Sequence, residues 1–315
     1  MRLLVASLKL IRFPNLFFIF LTQFLFYYCI LLPLLKPAGI VATIDETSFF
    51  LLTTASVLIA AAGYIINDYF DINIDQVNKP EKNVVDRVIP RRWAMLLHFI
   101  ISSIGVLISF WVSWRTGLWY IVMANFACVF LLFGYSVALK RKLLSGNLLI
   151  SFLTAWVVLI LCLSELHLAF RTQIDLAWLD IQNKIMRIGF VYAAFAFILS
   201  VIREAVKDME DMEGDARYGS KTIPIVWGVS AAKIYVAVWL IVLIALVVVI
   251  EIYILQFQWW LPFLYSVIFI IAPLVWLFLK LYKAITSPDF HRLSNWTKLI
   301  MLTGVLSMAF FYFYL

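Results

Sequence analysis

The chain has 315 residues, of which 65% are hydrophobic, 17% aromatic and 14% charged, with a net charge of +7. Soluble domains sit nearer roughly 45–50% apolar and roughly 25% charged, so this composition excludes an ordinary soluble enzyme, a disordered chain and a nucleic-acid-binding domain. It describes a polytopic membrane protein.

A membrane-crossing helix needs about 20 mostly apolar residues. On that ruler nine all-α spans are expected in chain order, at about residues 13–35, 48–68, 93–114, 117–139, 146–168, 187–206, 232–255, 259–281 and 296–315. The first apolar stretch is too long for a signal-peptide core and no small-residue cleavage site follows it, so it reads as a retained helix. Spans three and four are separated only by Arg115 to Gly117, which predicts a tight helical hairpin. The segment from Glu165 to Arg187 is balanced in charge and reads as a lid or interfacial stretch. Cys29, Cys128 and Cys162 each lie in an apolar run with no CxxC or histidine neighbour, so they read as packing residues and not as a zinc or disulfide framework.

Lys/Arg asymmetry sets orientation. With a cytoplasmic N-terminus, 20 of the 25 Lys and Arg residues fall on the cytoplasmic side and 5 on the other. The C-terminus is then outside, and the net positive charge needs no polyanionic partner.

The acidic residues are concentrated. Of eighteen, three lie in the run Asn67-Asp68-Tyr69-Phe70-Asp71-Ile72-Asn73-Ile74-Asp75 and five in Asp208-Met209-Glu210-Asp211-Met212-Glu213-Gly214-Asp215. Both runs space aspartates as D-x-x-D-x-x-x-D. At about 100° per residue these fall at about 0°, 300° and 340°, so one helical face is expected to carry all three carboxylates of each run. Asn67 borders the first face and Glu204 joins the second. Stacked like charges destabilise a helix, and carboxylates at a membrane helix end point to a functional site. The competing reading is a solvated acidic surface, which accounts for one such run more easily than for two with identical spacing.

Clustered oxygen donors without His or Cys suit a hard cation, Mg²⁺ above all, which binds through one or two carboxylates plus substrate phosphates. The expected metal set is Asn67, Asp68, Asp71, Asp75, Asp208, Asp211 and Asp215. Basic residues nearby, Lys82, Arg87, Lys140, Arg141 and Lys221, are either phosphate contacts or topology anchors. His98, His167 and His291 read as structural. Four expected spans separate the two runs, so helices 1–4 and 5–8 could form a pseudo-repeat within a single domain covering 1–315.

At this point the motifs resemble those of a known family. Asn67-Asp68-x-x-Asp71-x-x-x-Asp75 followed by Asn78-Lys79-Pro80 is similar to the first aspartate-rich motif of the UbiA superfamily of intramembrane prenyltransferases. Asp211-x-x-x-Asp215 continuing into Gly219-Ser220-Lys221-Thr222-Ile223-Pro224 resembles the second motif. Gly134-Tyr135-Ser136-Val137-Ala138-Leu139-Lys140-Arg141 is similar to the family's Y-x-x-x-K element, and Arg12-x-x-Asn15 opens the first span as in many members. The chain departs at Lys82-Asn83, where many members have Arg-Pro, and at Asp86-Arg87, where many have Ser-Gly.

The resemblance implies a helical bundle around a central cavity and Mg²⁺-dependent transfer of an isoprenyl chain from a polyprenyl diphosphate to a lipophilic acceptor among membrane lipids. It implies Asp71 and Asp211 in catalysis, Tyr135 near the reacting carbon, and Arg12, Lys82, Lys140 and Lys221 at the diphosphate. The stretch from Arg203 to Asp215 resembles most closely the branch that acts on geranylgeranylglyceryl phosphate, for which Lys207, Arg203 and Arg217 would supply phosphate contacts. An aromatic acceptor of the hydroxybenzoate or naphthoate type is the alternative. From other classes, a cation-coupled transporter would place its carboxylates at the midplane, and a non-catalytic scaffold would leave two matched carboxylate arrays without a purpose.

Overall fold

A computed structural model of the chain describes residues 2–78, 85–86, 88–166 and 176–315. Lys79, Pro80, Lys82, Asn83, Arg87 and His167, and most of the stretch between Glu165 and the sixth span, lie outside the described residues. Among the described residues nine helices are long and apolar enough to cross a membrane. They are span 1 (Phe13–Ala38), span 2 (Glu46–Asn78), span 3 (Arg91–Thr116), span 4 (Trp119–Val137), span 5 (Ser145–Ser164), span 6 (Trp178–Glu210), span 7 (Gly228–Leu255), span 8 (Trp260–Lys283) and span 9 (Ser287–Tyr314). A short helix, Arg2–Leu10, precedes them.

The number of spans matches the hydropathy reading, but three boundaries do not. Spans 2, 6 and 9 run well beyond the expected 48–68, 187–206 and 296–315. Hydropathy detects the apolar middle of a helix and is blind to where its hydrogen-bond ladder ends. Span 9 shows this directly, because Thr286 and Asp289 form a capping box with Pro288 in the first turn, nine residues before the expected start at 296.

Local sequence explains the irregular turns. Gly117 takes φ 75 and closes the hairpin between spans 3 and 4 with its N–H on the Ser113 carbonyl at 2.8 Å. Pro33 and Pro273 each follow a widened π-turn, Phe26–Leu31 and Val267–Ile271. Proline lacks the N–H that would bond four residues back. The carbonyl of Phe269 accepts instead from Thr303 Oγ1 of span 9 at 2.8 Å, a replacement that a water-poor bilayer core requires.

Among the described residues three apolar cores result. The smallest joins Ala6 and Leu10 of the short first helix to Ile65, Ile72 and Ala94 of spans 2 and 3. Of the two larger ones, one packs the ends of spans 1, 3, 5 and 9 against the starts of spans 2, 4 and 6, through Phe26, Tyr27, Phe49, Ile121, Leu161 and Met308. It plugs the bundle at the end away from the acidic runs. The other joins spans 6 to 9 through Leu199, Ile202, Leu240, Leu274 and Ile300. Between the plug and the acidic end a cavity remains. The three cysteines are free thiols within apolar surroundings, and His98 is buried with Nδ1 at 2.9 Å from the Ala62 carbonyl, so these residues hold packing roles as expected.

The plugged end is tied by Glu165, which is 1% exposed and accepts from the N–H and the hydroxyl of Thr43, each at 3.2 Å. Burial raises the Glu165 carboxyl from 4.5 to about 7, against the hydrogen bonds that favour its ionised form. A carboxyl raised on folding holds a proton in the native state that the unfolded chain has released. Its contribution is therefore full below about pH 4.5 and is lost as pH rises through about 7. The expected outcome is a stability loss of about 2–3 kcal/mol from this group between pH 5 and 8. It is read as the difference in apparent melting temperature between the wild type and Glu165→Gln in detergent, and a parallel pH dependence of the two proteins would refute it.

Candidate active site

The first acidic run occupies the last three turns of span 2, so its carboxylates do share one helix as expected. Asn67 and Asp71 are buried, and Asn67 Nδ2 donates to Asp71 Oδ2 at 2.7 Å. The same oxygen is paired with Lys140 Nζ, which arrives from the turn Leu139–Arg141 after span 4. Burial alone would discharge Lys140, but Asp71, Tyr135 and Asp75 outweigh it and hold the ammonium protonated well above its ordinary value. Asp68 points to another element, accepting from Arg12 at 2.8 Å. Arg12 sits in the left-handed region at φ 50, immediately before span 1, with its guanidinium 5.1 Å from the Tyr64 ring centroid. Burial opposes its charge, and Asp68, Tyr64 and Asp71 raise its pKa regardless.

The second run departs from expectation. Asp208, Asp211 and Asp215 do not share one helix, because span 6 ends at Glu210 and a short helix, Met212–Arg217, restarts after Asp211 at φ −96 and ψ 9. The break has an identifiable cause. In a continuous helix the Gly214 N–H would bond the Glu210 carbonyl. Here the Gly214 N–H bonds Asn78 Oδ1 at 2.8 Å, and the Glu210 carbonyl accepts from Ser287 Oγ at 3.0 Å. Asn78 Nδ2 also donates to the Asp211 carbonyl at 2.9 Å. The last residue of span 2 therefore staples the first acidic run to the second. Glycine is required at 214, since a Cβ there would lie 2.5 Å from Asn78 Oδ1.

Asp208 accepts from Asn147 Nδ2 at 2.9 Å, and Glu204 pairs with Arg203 at 2.6 Å. Asp215 is buried, and burial raises its carboxyl to about 6, opposed by Lys140 and Lys207 and reinforced by Asp211 and Asp71. Asp75 also has Asp71, Lys140 and Lys207 among its electrostatic neighbours. Lys140 thus stands between the two runs. Among the described residues no three of His, Cys, Asp and Glu converge closely enough to hold an ion by themselves. The seven expected ligands form two arrays, in which Asp68 and Asp208 are bonded to Arg12 and Asn147.

Asn67 of the first array lines a cavity that measures about 270 Å³ and is walled mainly by apolar side chains of spans 1, 2, 4, 5, 6 and 9. Its polar end carries Arg12, Asn67, Tyr135, Arg203, Glu204, Lys207 and Lys298. Tyr135 is part of that wall. The Lys221 side chain is exposed and its backbone N–H bonds the Arg141 carbonyl at 2.8 Å, which makes it a strut between loops. Arg217 is exposed too and lies outside the cavity wall. Lys82 lies outside the described residues. Asn78 enters the sequence reading only as part of the stretch after the first motif, with no role assigned, and Asn147 and Lys298 do not enter it as site residues. Lys298 had a signal, because it is the sole charged residue after Arg292.

The sequence model of the UbiA prenyltransferase family matches residues 25–299. Digeranylgeranylglyceryl phosphate synthase of Methanosphaera stadtmanae is 27% identical over 251 residues, covering 79% of this chain and 82% of that protein. The enzyme of the same name from Methanothermobacter thermautotrophicus is 30% identical over 221 residues, covering 66% and 70%. Among solved structures, one of a digeranylgeranylglyceryl phosphate synthase in membranes superposes with a TM-score of 0.65 at 21% identity over the full length of both chains. A UbiA homologue from Archaeoglobus fulgidus bound to DMAPP and Mg²⁺ superposes with a TM-score of 0.55 at 14% identity, covering 96% of this chain and 99% of that one.

The staple leads to a direct expectation. Asn78→Ala should lower Mg²⁺ affinity or turnover by about 10–100-fold, the usual cost of losing an outer positioning contact. Asn78→Asp, which retains acceptance from Gly214 and loses the donor to Asp211, should fall between, and Gly214→Ala should reproduce the alanine phenotype. A Mg²⁺ titration of activity checks all three; unchanged half-saturation and rate would remove the staple from the site.

Proposed function

The chain belongs to the UbiA prenyltransferase family, and from that premise we propose that it moves a polyprenyl chain from its diphosphate to the hydroxyl of a glyceryl phosphate lipid, with Mg²⁺ at the two acidic runs. The observation that carries this reading is the pairing of two carboxylate arrays with a mainly apolar cavity. Each array has one buried aspartate, Asp71 or Asp215, Lys140 stands between them, and the cavity wall includes Asn67 of the first array. A transporter would need carboxylates at the midplane, whereas both arrays lie at one end of the bundle.

The donor set fits the metal. It is all oxygen, and Asn67, Asp71 and Asp75 of one array with Asp211 and Asp215 of the other would hold hard cations whose remaining ligands are phosphate oxygens and water. When bound, Mg²⁺ supplies charge stabilisation for the leaving diphosphate. This chain's own residues do the rest. Lys140 provides a fixed positive charge between the arrays, where negative charge develops as the allylic C–O bond breaks and its electron pair leaves with the diphosphate. The acceptor's hydroxyl oxygen then bonds to the same carbon, and its proton leaves to water or diphosphate. Tyr135 lines the polar end of the cavity, where an aromatic ring would suit a carbon with cationic character. The apolar walls exclude water that would otherwise capture that carbon.

The names of the relatives support this acceptor. Purified protein given geranylgeranyl diphosphate with geranylgeranylglyceryl phosphate, or with an aromatic acid, should yield the ether lipid by mass. Transfer only to the aromatic acid would overturn the acceptor and leave prenyl transfer standing. Chelation should abolish turnover, as should Asp71→Ala and Asp215→Ala in protein that still inserts and purifies. Normal turnover by either variant would remove the two-array site. The site also faces the cytoplasm in this reading, on the strength of the Lys/Arg asymmetry. A cysteine placed at Tyr218 should therefore be labelled from the cytoplasmic side, and labelling from the other side alone would invert the topology.

A further inference from the structure

The wall of the cavity's polar end carries four cations and one carboxylate, Arg12, Arg203, Lys207, Lys298 and Glu204. Arg12 is matched by Asp68 and Arg203 by Glu204. Lys207 is the strongest cationic neighbour of Glu204 and a neighbour of Asp75, Asp208 and Asp215. That leaves Lys298, which has no ion pair among the described residues.

Lys298 stands apart by its depth. It lies eleven residues past the first residue of span 9, roughly 16 Å along a helix axis at about 1.5 Å per residue. A topology anchor belongs at a helix end, where its ammonium reaches the interface. An ionisable group this far into a span is costly unless it serves a site. The charges nearest in effect are Arg203, Lys207 and Arg12, with Glu210 opposing them, and Glu210 is already bonded to His291 at 2.9 Å. Arg203 adds a second unmet demand, because its Nε is buried without a hydrogen-bond partner while its other arm holds Glu204. A buried donor without an acceptor costs about 1–3 kcal/mol, and a cluster of like charges adds to that.

One ligand chemistry answers both. A phosphate monoester carries about −1.5 to −2 at pH 7 with three acceptor oxygens, which gives the Lys298 ammonium a counter-charge and Arg203 Nε an acceptor. The leaving diphosphate has Lys140, which is paired with Asp71 and is a charged neighbour of Asp75 and Asp215. We propose that Lys298, with Arg203, forms a phosphate subsite that seats the acceptor lipid by its phosphate group. The subsite rests on the acceptor reading given above and names the residues that would make it selective. Lys298 would then be a specificity-determining residue that the sequence places far from both acidic motifs.

The test uses the full chain in detergent with geranylgeranyl diphosphate, the phosphorylated acceptor, and the same lipid with a free hydroxyl in place of the phosphate. Lys298→Gln should raise the KM for the phosphorylated acceptor by about ten- to a hundredfold, as expected for losing a charged hydrogen bond. The KM for the diphosphate should stay within about twofold, and Lys298→Arg should recover most of the loss. On the phosphate-free acceptor, wild type and Lys298→Gln should behave alike. Should Lys298→Gln fail to accumulate, Arg203→Lys, which keeps the charge beside Glu204 and removes the Nε donor, carries the same expectation for the acceptor KM. An unmoved acceptor KM, an equal rise with both acceptors, or a rise confined to the diphosphate would each overturn the subsite. Failure of the wild type to use the phosphorylated acceptor at all would instead sink the acceptor reading and the subsite with it. Inorganic phosphate protecting the protein against heat as well as the phosphorylated lipid does would mark a general anion site and overturn the assignment to the acceptor.

Discussion

The pairing of Lys140 with Asp71 is the contact around which the acidic end of the bundle is arranged. A carboxylate buried at the end of a membrane helix must be compensated, and removing one partner of such a pair typically costs about 3–5 kcal/mol. Asp71 receives both an amide and an ammonium. Placing that ammonium requires span 4 to end in the tight turn Leu139–Arg141. Lys221 in turn ties that turn to the second motif through its backbone. Asp68 sets a parallel demand on Arg12, which is met by the left-handed backbone at the entrance of span 1. The geometry of three separate inter-helix turns thus follows from the need to neutralise two aspartates one residue-turn apart.

The cavity is the complement of that arrangement. Side chains in a close-packed interior leave few voids larger than water, so an open space needs a reason. At the far end large residues fill the bundle, with Tyr27 stacked on Phe49 at 4.2 Å between ring centroids. Nearer the acidic end the positions that approach the axis are small or polar, such as Ala60, Gly63, Ala196 and Ser200. Two glycines let bulky neighbours lie close: Leu132 over Gly63, and Phe195 over Gly304, where a Cβ would meet the ring at 2.2 Å. Phe195 lines the cavity, so the absence of a side chain at 304 sets how far that ring stands back from it.

Much of this was legible in the sequence and some was not, for physical reasons. Spans are legible because burying a helix in lipid demands an uninterrupted apolar stretch. The first acidic run is legible because Asn67, Asp71 and Asp75 continue the helix that carries them, so angular arithmetic applies. It fails for the second run because that arithmetic assumes an unbroken ladder, and the break at Asp211 is made by Asn78 and Ser287, residues more than seventy positions away in sequence. Long-range hydrogen bonds leave no periodic trace. Lys221 and Arg217 misled for a related reason, since proximity in sequence to Asp215 says nothing of which way a loop side chain turns. Lys298 was legible as an isolated charge but carried no motif to distinguish it from an anchor.

The two arrays are consequently unequal, and the inequality bears on how the site works. The first is held by a rigid helix, with Asp71 and Asp68 each already committed to a cation. The second sits on a short helix joined to span 6 through a break, tethered by Asn78 and by the loop hydrogen bond from the Ser220 N–H to the Asp215 carbonyl at 2.9 Å. Asp215 within it is buried and lacks an ion pair among the described residues. A buried carboxylate without a paired cation is the costlier of the two to ionise, and so stands to gain more from a divalent ion arriving with a diphosphate. The first array offers a preset frame and the second an electrostatic demand. Asn78 is what keeps that demand within reach of the frame, which is why a neutral side chain making two hydrogen bonds matters here as much as any of the charges it brings together.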